Sequence, residues 1–304
     1  MASWTNATST RPRHVGPYGR GDGLGEIVHP QRTDQVLERG RLEVTSPALA
    51  AYADRFWTVR WRRYDAPVEF SEVITNPVCH LTFEDGRRSD GGPLVRHGIE
   101  LPAAVLTTVW TDRFRVRLEG EARVIGVRFR PGAMAAIAGR PLAADQSLTV
   151  DDVLTGAGAV LRQVLAEPSD ERRRTIVQDW LEPQLPEPAP DYLAVSALVD
   201  EIRLDASIVR VDQIGSSAGL SVRSVQRLFR RYIGVTPKWV LLRCRLQDAA
   251  AHLDDDPCTD LADLATRLGW YDQSHFVRDF RRFLGVTPGR YARDARTTPP
   301  SAMP

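Results

Sequence analysis

The sequence predicts an α+β protein in two parts: a small β-barrel or sandwich with a helical segment, then an all-α double helix-turn-helix unit of seven helices. Three observations predict it. Between Arg55 and Arg130 the chain carries short, β-branched, partly alternating runs, the period of half-buried strands. The stretch EPQLPEPAP, residues 182–190, holds four prolines, which remove backbone donors and disfavour helix. Beyond it the apolar spacing is helical throughout, and one phrase is written twice. RSVQRLFRRYIGVTP at 223–237 returns as SHFVRDFRRFLGVTP at 274–288, identical at eight of fifteen positions.

Taken in order, residues 1–24 lack the apolar core of a signal peptide and read as a disordered tail, which places the protein in the cytoplasm. A β-rich domain is expected over 25–181. Its strands are RFWTVRW (55–61), CHLTFE (79–84), AVLTTVW (104–110), FRVRLEG (114–120) and ARVIGVRFR (122–130), with DGRRSDGG (85–92) as a turn. Arg128 and Arg130 alternate with Val127 and Phe129, so they are expected to face outward or to line a barrel mouth. From Ala133 the period becomes helical, and Ile176, Trp180 and Leu181 fall on one stripe.

Residues 182–190 read as a linker and 191–296 as the helical domain, followed by a short disordered tail at 297–304. DYLAVSALVDEIR (191–203) sets Val195, Leu198, Val199 and Ile202 at i, i+3, i+4 and i+7, an amphipathic helix. A short helix at about 211–218, the first copy of the phrase, a long helix at 237–253, LADLATRLG (261–269) and the second copy follow.

Composition bounds the function classes. Of 304 residues 42% are hydrophobic and 26% charged, the balance of a soluble globular protein, and no apolar run is long enough to span a membrane. The net charge of +1 gives no hint of a polyanionic partner, but Lys238 is the sole lysine among 40 basic residues. Whatever the basic residues bind, they bind with a planar fork suited to phosphate or guanine. Cys79, Cys244 and Cys258 show no C-x-x-C spacing, which argues against a disulfide framework and a structural zinc. No nucleophile–base pair, phosphate loop or cofactor motif stands out, so the chain reads as a non-enzyme without a cofactor.

The first copy reads as helix, tight turn, helix. Gly219 marks the turn and Ser221 the N-cap. Val225, Leu228, Phe229 and Tyr232 form a buried stripe, opposite Arg223, Gln226, Arg227 and Arg230, with Arg231 beside them. Gly234 supplies the left-handed stop, and Thr236-Pro237 opens the next helix. In the second copy Trp270-Tyr271 is the turn and Asp272 the cap. Phe276, Phe280 and Phe283 are buried, while Ser274, Val277, Arg278 and Arg281 face outward. A short basic helix anchored by aromatics suits the DNA major groove, which is wide enough to admit it. A lone arginine-rich face is most often merely solvated. Solvation alone does not require the same arginines, cap, glycine stop and Thr-Pro restart at two sites.

AGLSVRSVQRLFRRYIGVTPKWV and LADLATRLGWYDQSHFVRDFRRFLGVTPGRY resemble the two halves of the AraC/XylS-type DNA-binding domain of bacterial transcription regulators. The resemblance implies two recognition helices in successive major-groove segments of double-stranded DNA, about 34 Å apart. Carried over by position, base reading falls on Arg223, Gln226 and Arg227 in the first helix, and on Gln273, Ser274, Val277 and Arg278 in the second. Val277 stands where Gln226 stands in the first copy, so the second helix makes fewer hydrogen bonds at that place. Arg230, Arg231, Lys238, Arg281 and Arg282 are the candidates for gripping phosphate.

Members of that family commonly carry an effector-binding or dimerising domain upstream, often a small β-barrel. ARVIGVRFRPGAMAAIAG is similar to a segment of many actinobacterial regulators of this kind. The resemblance implies a possible small-molecule effector, RNA polymerase as partner if the protein is an activator, and a possible homodimer. Trp57, Trp61 and Trp110 are the candidate effector pocket. An alternative stands beside this reading. Pro77, Cys79 and His80 resemble the Pro-Cys-His nucleophile of DNA-repair alkyltransferases, some of which are fused to the same DNA-binding domain; Cys79 would be the acceptor, although Val78 interrupts the motif. His80 and His97 also invite a metal site, but no H-x-H pair or carboxylate triad accompanies them.

Overall fold

A computed structural model describes residues 36–296 apart from 74 and 217; the two expected tails at 1–24 and 297–304 lie outside the described residues. Among the described residues upstream of 150, ten strands pair. Six of them, β1 (Glu38–Leu42), β2 (Ala53–Arg63), β4 (His80–Arg87), β7 (Ala103–Thr107), β9 (Gly120–Phe129) and β10 (Ser147–Thr149), form one antiparallel sheet in the order β1-β2-β9-β4-β7-β10. That sheet is open, ending at β1 and β10, so of barrel and sandwich the second is nearer. Two short ribbons accompany it: β3 (Glu69–Val73) with β8 (Phe114–Leu118), and β5 (Val95–Arg96) with β6 (Ile99–Glu100).

Alternation along the central strands separates two faces. On one face Phe56, Leu81, Phe83, Ile125 and Val127 are buried against Val160, Val164, Val177 and Leu181 of two helices, Ala157–Ala166 and Asp170–Leu181. On the other, Trp61, Ala122 and Val124 pack with Leu94, Leu101 and Leu118 beneath the ribbons. Residues 85–87, expected in a turn, continue β4, because β9 offers a pairing partner as far as Glu121. Arg128, expected outward or at a barrel mouth, is 2% exposed and donates to Asp54 Oδ2 at 2.7 Å. A register shift between Ala53 and Arg55 of β2 brings Arg128 beside Arg55, and the bulge re-aims the strand end.

After Leu181 a 3-10 turn covers Glu182–Gln184, and Pro190 opens the helix Pro190–Leu204 as its first residue. Its Tyr192 stacks on Tyr52 of the sheet region, ring centroids 5.1 Å apart and nearly parallel, and donates to Ala51 O at 2.6 Å. Tyr52 in turn donates to Pro186 O at 2.8 Å. The main core therefore runs without a break from the sheet into the first helix-turn-helix, through Tyr192, Val195, Val225, Phe229 and Val240. A second, separate core holds Leu246, Leu253, Leu264, Phe276, Phe280 and Tyr291. The helix expected near 211–218 is a single 3-10 turn, Val211–Gln213, after which Gly215 turns the chain with φ +73°.

Candidate nucleic-acid interface

The first recognition helix starts where Ser221 Oγ accepts the backbone N–H of Ser224 at 3.2 Å. It runs as α-helix over Val222–Leu228 and then widens into a π turn over Phe229–Ile233, which Gly234 closes at φ +83°. The second is a regular α-helix, Gln273–Leu284, capped by Asp272 Oδ1 on the His275 N–H at 2.7 Å and closed by Gly285 at φ +74°. The repeated letters thus cover a real difference. The backbone carrying Arg230 and Arg231 is wider than that carrying Arg281 and Arg282.

Both helices bury the expected aromatics. Val225, Phe229, Phe276 and Phe280 have no exposed surface, and Leu228, Tyr232 and Phe283 are nearly covered. The opposite faces stay in solvent. Arg223, Gln226, Arg227, Arg230 and Arg231 are exposed on the first, and Gln273, Ser274, Arg278, Arg281 and Arg282 on the second; Val277 is half-buried and Lys238 exposed. Arg227 lies 3.7 Å from Asp191, both side chains largely in water. Such a pair is worth at most about 1 kcal/mol, too little to hold Arg227 from a stronger partner. Arg231 is set apart from the others. It stacks over Tyr232 and lines a recess with Ala135, Arg140, Pro186 and Glu187, while remaining exposed.

Several residues that position the second helix gave no signal in the motif. Trp270 donates to Asp279 Oδ2 at 2.9 Å, and His275 lies 3.3 Å from the same oxygen, so the helix is tied to the turn before it. Its C-terminal Gly285 sits against the Arg113 guanidinium of the β7–β8 loop. On the connecting helix Pro237–Asp255, Arg243 is 1% exposed. A trace of it is legible: Arg243 falls in phase with Trp239, Leu246 and Ala250, an arginine inside an apolar stripe.

The three tryptophans do not converge on one cavity. Trp57 lies over Gly126, where a Cβ would collide with the indole, and donates to His80 Nδ1 at 3.3 Å. Trp61 is buried and donates to Glu119 O at 3.1 Å. Trp110 belongs to another group, with His97 and Phe114 at centroid distances of 5.0 and 5.4 Å. There the buried Trp110 Nε1 and His97 Nε2 have no hydrogen-bond partner. Burial, and then Arg96, hold His97 below its ordinary pKa, so the imidazole is neutral at pH 7.

The alkyl-acceptor alternative finds no support at Cys79. Burial among apolar neighbours pushes its thiol up to about 12, against the thiolate that transfer needs. His80, its expected neighbour in that motif, is engaged by Trp57.

A family profile for a helix-turn-helix domain matches residues 214–294, and one for a domain of unknown function (DUF6597) matches residues 44–150. The chain is 36% identical over 106 residues to the transcriptional activator NphR of a Rhodococcus species, covering 34% of this chain and 30% of NphR. It is 30% identical over 91 residues to the probable transcription factor PqrA of Proteus vulgaris, covering 30% of this chain and 73% of PqrA. A solved AraC-type DNA-binding domain protein from Chromobacterium violaceum shares 28% identity over 35% of this chain and 90% of its own, with a TM-score of 0.29. The chain spans less than half the length of NphR and of the next curated relatives. No helix among the described residues is long and apolar enough to cross a membrane. Two capped basic helices, each closed by a left-handed glycine, a family profile over both and a relative matched along most of its length lead to one conclusion: the chain belongs to the AraC/XylS family of transcription regulators.

Proposed function

We propose that this protein is a sequence-specific DNA-binding transcription regulator whose two recognition helices enter successive major-groove segments of one duplex. The observation that carries this reading is the pair of exposed faces, Arg223/Gln226/Arg227 and Gln273/Ser274/Arg278, each backed by buried aromatics and closed by the same glycine stop. Arginine reads guanine O6 and N7, and glutamine reads adenine N6 and N7. Arg230, Arg281, Arg282 and Lys238 grip phosphate and set register. Arg231 has the weakest support in that role, since it lines the recess beside Glu187. The division at 182–190, with a sensor or dimerising unit over 25–181 and a DNA-binding unit over 191–296, belongs to the same reading. Strands stop by Thr149, and both helix-turn-helix units follow Pro190. A small effector is best supported at Trp110, whose indole N–H is unengaged, rather than at Trp57 or Trp61. RNA polymerase, a second copy of the chain and a cytoplasmic location complete the proposal.

The test starts from duplexes selected out of a random pool by the full chain. On the selected duplex Arg227→Ala costs about 1–3 kcal/mol and relaxes preference at one base pair. Arg230→Ala weakens selected and random duplexes alike and lowers the slope of log affinity against log salt by about one. If the two variants behave identically on both kinds of DNA, the assignment of reading and gripping is wrong.

A further inference from the structure

The upstream region holds the two recognition helices by unlike means. The first shares its core: Gly132 lies against Tyr232, Val195 and Ile233, and a Cβ on Gly234 would stand 2.6 Å from the carbonyl oxygen of Leu142. The second has its own core and touches the upstream region through a small polar clasp. Arg243 Nε donates to the Thr75 carbonyl oxygen at 2.7 Å, and its Nη2 donates to Thr75 Oγ1 at 2.7 Å. One turn on, Gln247 Nε2 donates to Asn76 Oδ1 at 2.7 Å. The other side of the Arg243 guanidinium lies over Phe283 of the second recognition helix at 5.3 Å and over Trp239 at 5.7 Å.

Energetically the arrangement is unusual. No carboxylate among the described residues pairs with Arg243, and its buried Nη1 has no hydrogen-bond partner. Burial pulls the guanidinium down to about 10, still cationic at neutral pH. Burying a cation on a carbonyl, a hydroxyl and two ring faces is costly, and an aliphatic residue would fill the space at less expense. Such a group specifies geometry better than it stabilises, because a planar fork with fixed donor directions accepts one placement of its partners. The partners here are a loop of the upstream region and the ring that anchors the second recognition helix.

From this geometry we infer that Arg243 and Gln247, through Thr75 and Asn76, are positioning residues that set the second recognition helix relative to the first, and thereby set the half-site spacing the protein accepts. From another loop, β7–β8, the flexible Arg113 side chain also reaches Gly285 at the helix C-terminus. Thr75 also donates to Trp110 O at 2.7 Å, so the clasp is continuous with the aromatic group proposed above for an effector. The inference rests on the DNA-binding reading.

The experiment uses the full chain and the duplex it selects, with zero to three base pairs inserted between the two half-sites. Each insertion advances the second site by about 3.4 Å and rotates it about the helix axis, which takes the base edges away from a fixed second helix. In the wild-type chain one inserted pair lowers affinity on the order of tenfold or more, the size of a lost base contact. In Thr75→Val/Asn76→Ala the same insertion costs about threefold or less, since a loosened helix can follow its site. Thr75→Ser, which keeps the acceptor oxygen, retains the wild-type spacing profile. The readout is a ratio within each protein, so partial unfolding of a variant cancels. Identical spacing penalties in the double variant and the wild type would overturn the inference while leaving DNA reading intact. If the wild-type chain selects no preferred duplex, DNA reading falls and the inference falls with it.

Discussion

Phe280→Ala removes the second helix-turn-helix while leaving the first in place. Phe280 has no exposed surface and packs edge-on to Phe276 and Tyr291, each at a centroid distance of 5.5 Å. Truncating a buried phenylalanine costs about 3–5 kcal/mol, lost transfer free energy plus the cavity left behind. A core of this size has little stability to spare, and its residues are separate from those beneath the sheet. Hydrogen exchange should therefore show protection lost across residues 261–296 and retained across β2, β4 and β9. DNA affinity should fall toward that of a single recognition helix. Uniform loss of protection over the whole chain would show instead that the two cores unfold as one unit.

The two glycine stops give the second large effect, and it is asymmetric. Both have left-handed backbone, which costs a residue with a side chain about 1–2 kcal/mol. At Gly234 an added Cβ meets the Leu142 carbonyl oxygen at 2.6 Å, a backbone atom fixed in the core. At Gly285 it meets the end of the Arg113 side chain, which swings aside cheaply. Gly234→Ala therefore costs about 2–4 kcal/mol and Gly285→Ala about 1–2 kcal/mol, the backbone part alone. Denaturant melts of the two variants check the order. Equal losses would mean that the Leu142 contact gives way as easily as a side chain.

The helical half was legible because local chemistry decides it. Ser221, Asp272 and Thr236 cap helices with their own side chains, and the phase of Val225, Phe229, Phe276 and Phe280 fixes which face is buried. Strand order and strand ends were less so. β4 runs through Gly86 and β3 forms at 69–73 because distant partners pair with them, and no short window of sequence carries that. Arg128 was misplaced for a related reason: it does alternate with Val127 and Phe129, but its face is covered as well, and Asp54 on the neighbouring strand pairs with it. The π turn after Leu228 is invisible in the repeated phrase, whose letters are shared with a regular helix. Which side chains of the two basic helices face solvent was legible residue by residue, but the clasp was not. Thr75 and Arg243 are 168 positions apart, and only the fold brings them together.

Protection of guanine N7 on the selected duplex, read for the wild-type chain and for Arg227→Ala and Arg278→Ala, tests the central claim most directly. Two helices in successive major-groove segments predict two protected patches on one face, about 10 base pairs apart. Arg227→Ala should open one patch and Arg278→Ala the other. A single patch, or both variants opening the same one, would contradict the account.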